Sequence, residues 1–300
     1  MILVAGATGS LGSQIVRRLI DKGEEVRALV RATSDPGKIA SLRALGASLF
    51  TGNLRDSASL QGACSGVETV ISSVSVIVTA QPGDSFQDTD AQGTISLIEA
   101  AKKAGAKHFI FVSFAASRFP DTPLTSAKKR VEEHLKEGGI DYTILQPPPF
   151  MESWLGPMLF GDPASGQVKI FGKGEGHIPY ISSADVAEIV SRAVKLPSAR
   201  NATITFGGPE AITQRDAVRM FEQATGQPLA VTAVPQEALE TQWQMAENPF
   251  EKSFAGLMLG IARLDEQSQP LSEEFGFRMA TVRDFARTAA HKDEAKGSGS

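Results

Sequence analysis

The chain opens MILVAGATGSLG, and this stretch constrains what everything after it can fold into. Ile2 to Ala5 is an apolar run long enough for a buried strand. Gly6-Ala7-Thr8-Gly9-Ser10-Leu11-Gly12 then turns sharply, and a helical pattern begins at once. Leu11, Ile15 and Leu19 recur at four-residue spacing, with Val16 and Ile20 widening the stripe. A strand that passes through glycines into a helix start is an anion site made of backbone. The helix dipole and unpaired N–H groups point outward, and the absent side chains let a pyrophosphate come close. The spacing is G-x-x-G-x-x-G rather than G-x-G-x-x-G. Glycines alone also fit a tight structural turn; the strand before and the helix after favour dinucleotide binding. On that reading Gly6, Thr8, Gly9, Ser10, Leu11 and Gly12 touch the cofactor.

Strand and helix patterns alternate through the first half. Glu25–Val30 reads as a second strand, Ile39–Leu45 as a short helix and Ala47–Thr51 as a third strand. Leu60–Cys64 follows as a helix, Val67–Val78 as a fourth strand and Gln92–Ala104 as a helix. His108–Ser113 and Asp141–Leu145 read as the fifth and sixth strands. This rhythm predicts right-handed crossovers and an α/β fold with a doubly wound parallel sheet, whose ligands bind at the carboxyl ends of the strands. Beyond Gln146-Pro147-Pro148-Pro149 the rhythm breaks. Ile181–Val194 reads as a helix returning to the main sheet, and Ile212–Thr225 as a helix opened by Thr213. Thr203–Phe206 and Leu229–Val234 read as strands. The expected organisation is a dinucleotide-binding domain over 1–150, with 181–195 packing back onto it. A smaller, discontinuous C-terminal substrate lobe would span 151–180 and 196–290, and a frayed tail 291–300.

At 300 residues with 42% hydrophobic content the chain has ample core for this arrangement. A net charge of −4 with no basic stripe argues against nucleic acid as a partner. The single cysteine, Cys64, reads as a packing residue, and four histidines without ligand spacing give no metal site. No apolar run reaches membrane-spanning length, so a cytoplasmic protein, monomer or homodimer, acting on a small molecule is expected.

Charge at the strand ends addresses the cofactor's identity. Arg31 follows the second strand, where dinucleotide folds meet the adenosine ribose. An acid there accepts from the 2′-hydroxyl of NAD, whereas an arginine suits the 2′-phosphate of NADP. Arg31, with Lys38 in the following loop, therefore points to NADP, although a solvated surface arginine is the plainer alternative. Asn53 and Leu54 after the third strand are placed for the adenine. Ser72, Ser73 and Val74 at the fourth are placed for phosphate and ribose.

The helix expected over Ser126–Glu137 carries a lysine on its inward face. Lys128 stands three residues before Val131 and seven before Leu135, the core positions of that helix. Such a lysine either snorkels to water or has a role: a proton donor of lowered pKa, or an anchor for the nicotinamide ribose. Ser113, at the end of the fifth strand, is a candidate hydrogen-bond donor to a carbonyl or a simple strand cap. A tyrosine four residues before the lysine would be the usual acid of a short-chain reductase, but that position is Leu124, and Tyr142 and Tyr180 lie elsewhere.

GATGSLG at Gly6–Gly12, LVR ending at Arg31, FVS ending at Ser113 and KKRVEEHLKEGGIDYTILQPPPFMES from Lys128 together resemble the atypical short-chain dehydrogenase/reductases. The similarity is greatest to the NmrA-like and isoflavone-reductase-like branch, and extends to ADVA around Asp185 and TFGGPEAIT from Thr205. The resemblance implies a Rossmann fold, an absent tyrosine, and a lysine, matching Lys128, in nicotinamide binding or acid–base work. It also implies that Pro147, Pro149 and Phe150 border the nicotinamide. An NADPH-dependent reductase then follows, with Lys128 and Ser113 as catalytic residues and Phe150, Trp154 and Phe160 walling an aromatic-friendly pocket. Trp243 is a further candidate for that wall. The branch also includes non-enzymatic regulators that sense NADP(H) and bind a protein partner, and this is the alternative.

Overall fold

The structure, a computed structural model, describes the backbone of residues 1–297 and the side chains of residues 1–290. In chain order come β1 (Ile2–Ala5), α1 (Ser10–Asp21), β2 (Val26–Val30), α2 (Pro36–Ala44), β3 (Ser48–Thr51), α3 (Ser57–Cys64) and β4 (Thr69–Ser72). A π-helical turn (Phe86–Gly93) runs straight into α4 (Thr94–Lys103), followed by β5 (His108–Val112), α5 (Pro123–Lys136) and β6 (Asp141–Gln146). Next are α6 (Met151–Trp154), β7 (Gln167–Phe171), β8 (His177–Ile178), α7 (Ser183–Ala193) and β9 (Ala202–Thr205). The chain closes with β10 (Ile212–Thr213), α8 (Gln214–Thr225), β11 (Ala230–Val234), α9 (Gln236–Met245), α10 (Pro249–Arg263) and α11 (Val282–Gly297). Of the expected tail, the backbone to residue 297 belongs to α11, and 298–300 lie outside the described residues.

Seven strands form one parallel sheet in the order β3-β2-β1-β4-β5-β6-β9. The order reverses at β1, where Val4 lies between Ala28 of β2 and Ile71 of β4. This is the doubly wound Rossmann arrangement, and ligands of such sheets sit beyond the carboxyl ends at that reversal. Strands buried on both faces read as continuous apolar runs, as ILVA in β1 and HFIFV in β5 do.

The chain divides into two compact units. One comprises Met1–Ala116, Asp121–Gln146 and Val186–Thr205, and contains the whole sheet. Its core gathers Leu3, Val70, Ile98, Phe109, Phe111, Val131 and Ile144. Cys64 is fully buried there, and burial pushes its thiol up to about 11, as fits a packing residue. His108 is also structural. Thr143 donates to Ala199 O (2.7 Å), so the His108 ring nitrogen 2.8 Å away donates to Thr143, and burial lowers the imidazole to about 4. Glu188, in the part of α7 that belongs to this unit, accepts from Lys22 of α1 (2.9 Å).

The second unit comprises Ser117–Pro120, Pro147–Asp185 and Phe206–Ser300. Here β7 pairs with β11 in parallel and β8 with β10 antiparallel. The core holds Phe160, Ile170, Tyr180, Phe221 and Leu259. Gly260 of α10 has no room for a side chain, since a Cβ there would lie 2.2 Å from the Phe119 ring.

The fourth strand is shorter than the apolar run Val67–Val78 predicts. Ser73 N still donates to Ala5 O (3.1 Å), but the next backbone groups pair with side chains. Lys128 Nζ donates to Val74 O (2.8 Å) and Val76 N donates to Asp90 Oδ2 (3.1 Å). Side chains from α5 and the π-helical turn thus end the ladder, and no local pattern announces them.

Candidate functional site

The glycine turn, Arg31, Lys128 and Ser113 all lie in the sheet-bearing unit. Gly6 turns the chain out of β1 with φ +83°, and Gly9 N donates back to Gly6 O (2.9 Å). Gly9 then caps α1, whose first turn carries no acidic residue to compete with an anion. Gly12 is the tightest point: a Cβ there would lie 2.0 Å from Gly6 O. A Cβ on Gly6 would meet Ser73 Oγ at 2.9 Å, so β4's exit loop closes one side of the turn. Thr8, Gly9 and Leu11 are half-buried along the turn and Ser10 is exposed. Ser72, fully buried beside Ala5 in the ladder, has a hydroxyl with no hydrogen-bond partner among the described residues. Closely approachable backbone, helix N–H groups and an orphaned hydroxyl at the sheet reversal fit a dinucleotide's pyrophosphate and ribose.

At the adenosine end Arg31 follows β2 as expected, and it is paired. Its Nη1 lies 2.6 Å from Asp84 Oδ2, a carboxylate with a 3% exposed side chain. Gln81 N (2.9 Å) donates to the same oxygen, and Thr89 Oγ1 (3.1 Å) to the other. Burial raises the Asp84 carboxyl, but the Gln81 N–H, Arg31 and the Thr89 hydroxyl outweigh it and hold it below the usual range. Lys38 lies in the first turn of α2, its N–H capped by Asp35 (2.9 Å), so Asp35 serves that helix. Asn53 accepts from Arg55 N (3.0 Å) within its own turn, and Leu54 is buried.

Lys128 lies on the inward face of α5 and is only 4% exposed. Besides Val74 O, its ammonium has Asp90 Oδ1 at 3.8 Å and the Phe111 ring centroid at 5.0 Å. Desolvation lowers its pKa against the pull of Asp90 and Glu132, while burial raises the Asp90 carboxyl against Lys128. Ser113 is buried too, and its hydroxyl is taken: it donates to Glu132 Oε1 at 2.6 Å. Gln146 Nε2 donates to both oxygens of Glu132 (3.0 Å each), and Thr205 Oγ1 donates to Gln146 Oε1 (2.7 Å). Leu124, where a tyrosine would stand in a typical reductase, is buried in the first turn of α5.

Asp84, Asp90, Glu132, Gln146 and Thr205 carry no mark in the sequence that sets them apart as site residues. Asp90 lies inside the Phe86–Gly93 turn, whose π-helical geometry no apolar periodicity shows.

The remaining expected residues belong to the second unit. Pro147 is buried, and Pro149 O accepts from Ile181 N (3.1 Å). Phe150 is the N-cap of α6 and bridges to Ile181. Trp154 packs edge-on against Phe171 at 6.0 Å between centroids. Phe160, 2% exposed and 5.0 Å from Phe221, packs in that unit's core. Trp243, on α9, packs against the same core and has Lys252 Nζ 5.7 Å from its ring. Among the described residues no group of three or more His, Cys, Asp or Glu is arranged to hold a metal ion, and no helix is long and apolar enough to cross a membrane.

A parallel sheet with a 3-2-1-4-5-6 core and a glycine turn at its reversal defines the class of Rossmann-fold dinucleotide-binding proteins, and here a lysine of α5 is buried beside the sheet. Within that class the chain belongs to the NmrA-like family, whose match spans residues 1–274. It is 32% identical over 286 residues to the photosystem II assembly factor Ycf39 of Synechocystis sp., covering 92% of this chain and 85% of the relative. It is 31% identical over 240 residues to the NAD(P)H azoreductase of Xenophilus azovorans, covering 79% and 78%. Its fold matches an NADPH-dependent quinone oxidoreductase of Escherichia coli solved with NADPH, at a TM-score of 0.77 and 24% identity, over 98% of this chain and all of that one.

Proposed function

We propose that the protein is an NADPH-dependent reductase that transfers hydride to a small conjugated acceptor: a quinone, an enone or an aryl carbonyl. The carrying observation is the pairing of a glycine turn at Gly6–Gly12, ahead of the α1 N-terminus, with a buried lysine, Lys128, at the carboxyl ends of β4 and β5. In this reading the turn residues Gly6, Thr8, Gly9, Ser10, Leu11 and Gly12 bind the pyrophosphate. Arg31 and Lys38 meet the 2′-phosphate, Asn53 and Leu54 the adenine, and Ser72, Ser73 and Val74 the ribose side. Bound there, the reduced nicotinamide supplies the hydride.

Lys128 then stabilises the negative charge that grows on the acceptor oxygen, acting as a fixed cation held by Val74 O and Asp90. The completing proton comes from solvent. Ser113 already donates its hydroxyl proton to Glu132, and no tyrosine stands at Leu124, so the reading favours acceptors whose reduced oxygen needs little help from a protein acid. The NAD(P)H azoreductase among the relatives supports reductase chemistry.

A second reading is favoured by the relative named as an assembly factor, which matches more of this chain than the azoreductase does. In it the protein binds NADP(H) without turnover, and cofactor binding orders loops that a protein partner recognises.

The deciding experiment follows oxidation of NADPH, and of NADH in parallel, against a panel of quinones, enones and aryl ketones, with Lys128→Ala as the comparison. The expected result is NADPH-preferring turnover that falls about 100-fold in the variant while NADPH binding stays within about twofold. Tight NADPH binding with no turnover on any acceptor would replace the reductase by the second reading.

A further inference from the structure

We infer that Asp84 is a positioning residue for NADPH selectivity: by gripping one nitrogen of Arg31 it aims the rest of the guanidinium at the cofactor's 2′-phosphate. The inference deepens the function proposed above and rests on it. Asp84 does not touch the cofactor in this scheme; it acts through Arg31.

Three observations carry it. The contact is one-sided: Asp84 Oδ2 takes Arg31 Nη1 at 2.6 Å, and no other hydrogen bond from the guanidinium to a described residue is found. The Arg31 side chain remains 31% exposed, so an anchored arginine still presents donors outward. A planar guanidinium binds phosphate through two parallel N–H groups, and fixing its plane in advance saves the entropy of ordering it.

Second, the anchor is itself fixed. The carboxylate is buried and receives three donors, from Arg31, Gln81 N and Thr89 Oγ1. The segment before it is strapped down from both neighbouring strand ends. Arg55 Nη1 donates to Gly83 O (2.5 Å), and Thr33 and Gln81 exchange two hydrogen bonds, Oγ1 to Oε1 at 2.6 Å and Nε2 to Thr33 O at 3.3 Å. Gly83 has φ +83°, a conformation that side chains rarely adopt, so the turn favours glycine at this position. A salt bridge made only for surface stability would not call for this bracing.

Third, the charges leave room for an anion. Asp84 is spent on Arg31, and Asp35 on the N–H of Lys38. Lys38 and Arg55 add positive charge from the ends of the neighbouring elements. A phosphate on the outer edge of Arg31 meets the cation in contact and the Asp84 carboxylate only from behind it, so attraction dominates.

The test measures equilibrium binding of NADPH and NADH to the full chain, for wild type, Asp84→Asn, Asp84→Ala, Arg31→Ala and the Arg31→Ala/Asp84→Ala double variant. Thermal melting is followed alongside. Both Asp84 variants are expected to weaken NADPH about tenfold and to leave NADH within about twofold. The double variant is expected to bind NADPH no more weakly than Arg31→Ala, because Asp84 acts only through Arg31. The asparagine variant keeps the shape of the site, which guards against a folding defect in the alanine one. Equal losses for both dinucleotides would reduce Asp84 to local scaffolding and overturn the inference. Tighter NADPH binding in Asp84→Asn would overturn it the other way, making Asp84 a competitor of the phosphate. A wild-type protein that binds neither dinucleotide would defeat the functional reading itself. Tight NADPH binding with an unmoved selectivity would defeat only this inference.

Discussion

Two regions along the carboxyl edge of one sheet treat their polar groups differently. At the glycine turn α1 begins on Gly9 with no side-chain cap, Ser72 Oγ is buried without a partner among the described residues, and side chains are absent where one would strike the turn's own backbone. Around Lys128 and Ser113 most polar groups are engaged with one another, Asp90 Oδ1 being a buried oxygen there with no hydrogen bond among the described residues. The ammonium serves Val74 O beside Asp90, and the Ser113 hydroxyl serves a Glu132 already held by Gln146. Unpaired buried polar groups are costly, so a protein that leaves some open is reserving them for a ligand. One that engages most of them with one another is fixing a shape. On the function proposed above, the comparison teaches that this chain invests recognition in the glycine turn and electrostatics, rather than proton donation, around Lys128.

The largest effect should come from breaking the glycine turn. Gly12→Ala forces a Cβ into Gly6 O, a backbone atom that cannot swing away. NADPH affinity is expected to fall by about 100-fold or more, read by titration, as the turn and the start of α1 are pushed apart. A loss under threefold would mean that the turn does not hold the cofactor. A smaller and different effect should come from the region around Lys128. Ser113→Ala removes one donor to a buried carboxylate and should cost about 1.5–3 kcal/mol in denaturant unfolding, with NADPH affinity and turnover little changed. If turnover instead collapsed with stability intact, Ser113 would be a proton donor, and the contrast between the two regions would fail.

Much of this architecture is legible in the amino-acid sequence, because local rules write it. The first strand, the turn and α1 follow from a dozen residues, and the strand–helix alternation implies the sheet. The inward placement of Lys128 follows from its spacing to Val131 and Leu135. Long-range pairing is what the sequence hides. Asp84 is 53 residues from Arg31 and Glu132 is 19 from Ser113, and nothing in either local sequence marks them as partners. The apolar run Val67–Val78 overstates the fourth strand for the same reason: Lys128 and Asp90 capture Val74 and Val76 from other elements. Aromatic residues are the poorest guide, since Phe160 is as suited to a core as to a pocket wall, and it packs on Phe221.

The central claim is that the region of the glycine turn is built for a phosphorylated dinucleotide, and titration of the wild-type protein with NADPH and with NADH tests it most directly. The account predicts saturable binding of both at one site per chain, with NADPH tighter by about tenfold or more through Arg31. Equal affinities, or a preference for NADH, would contradict it.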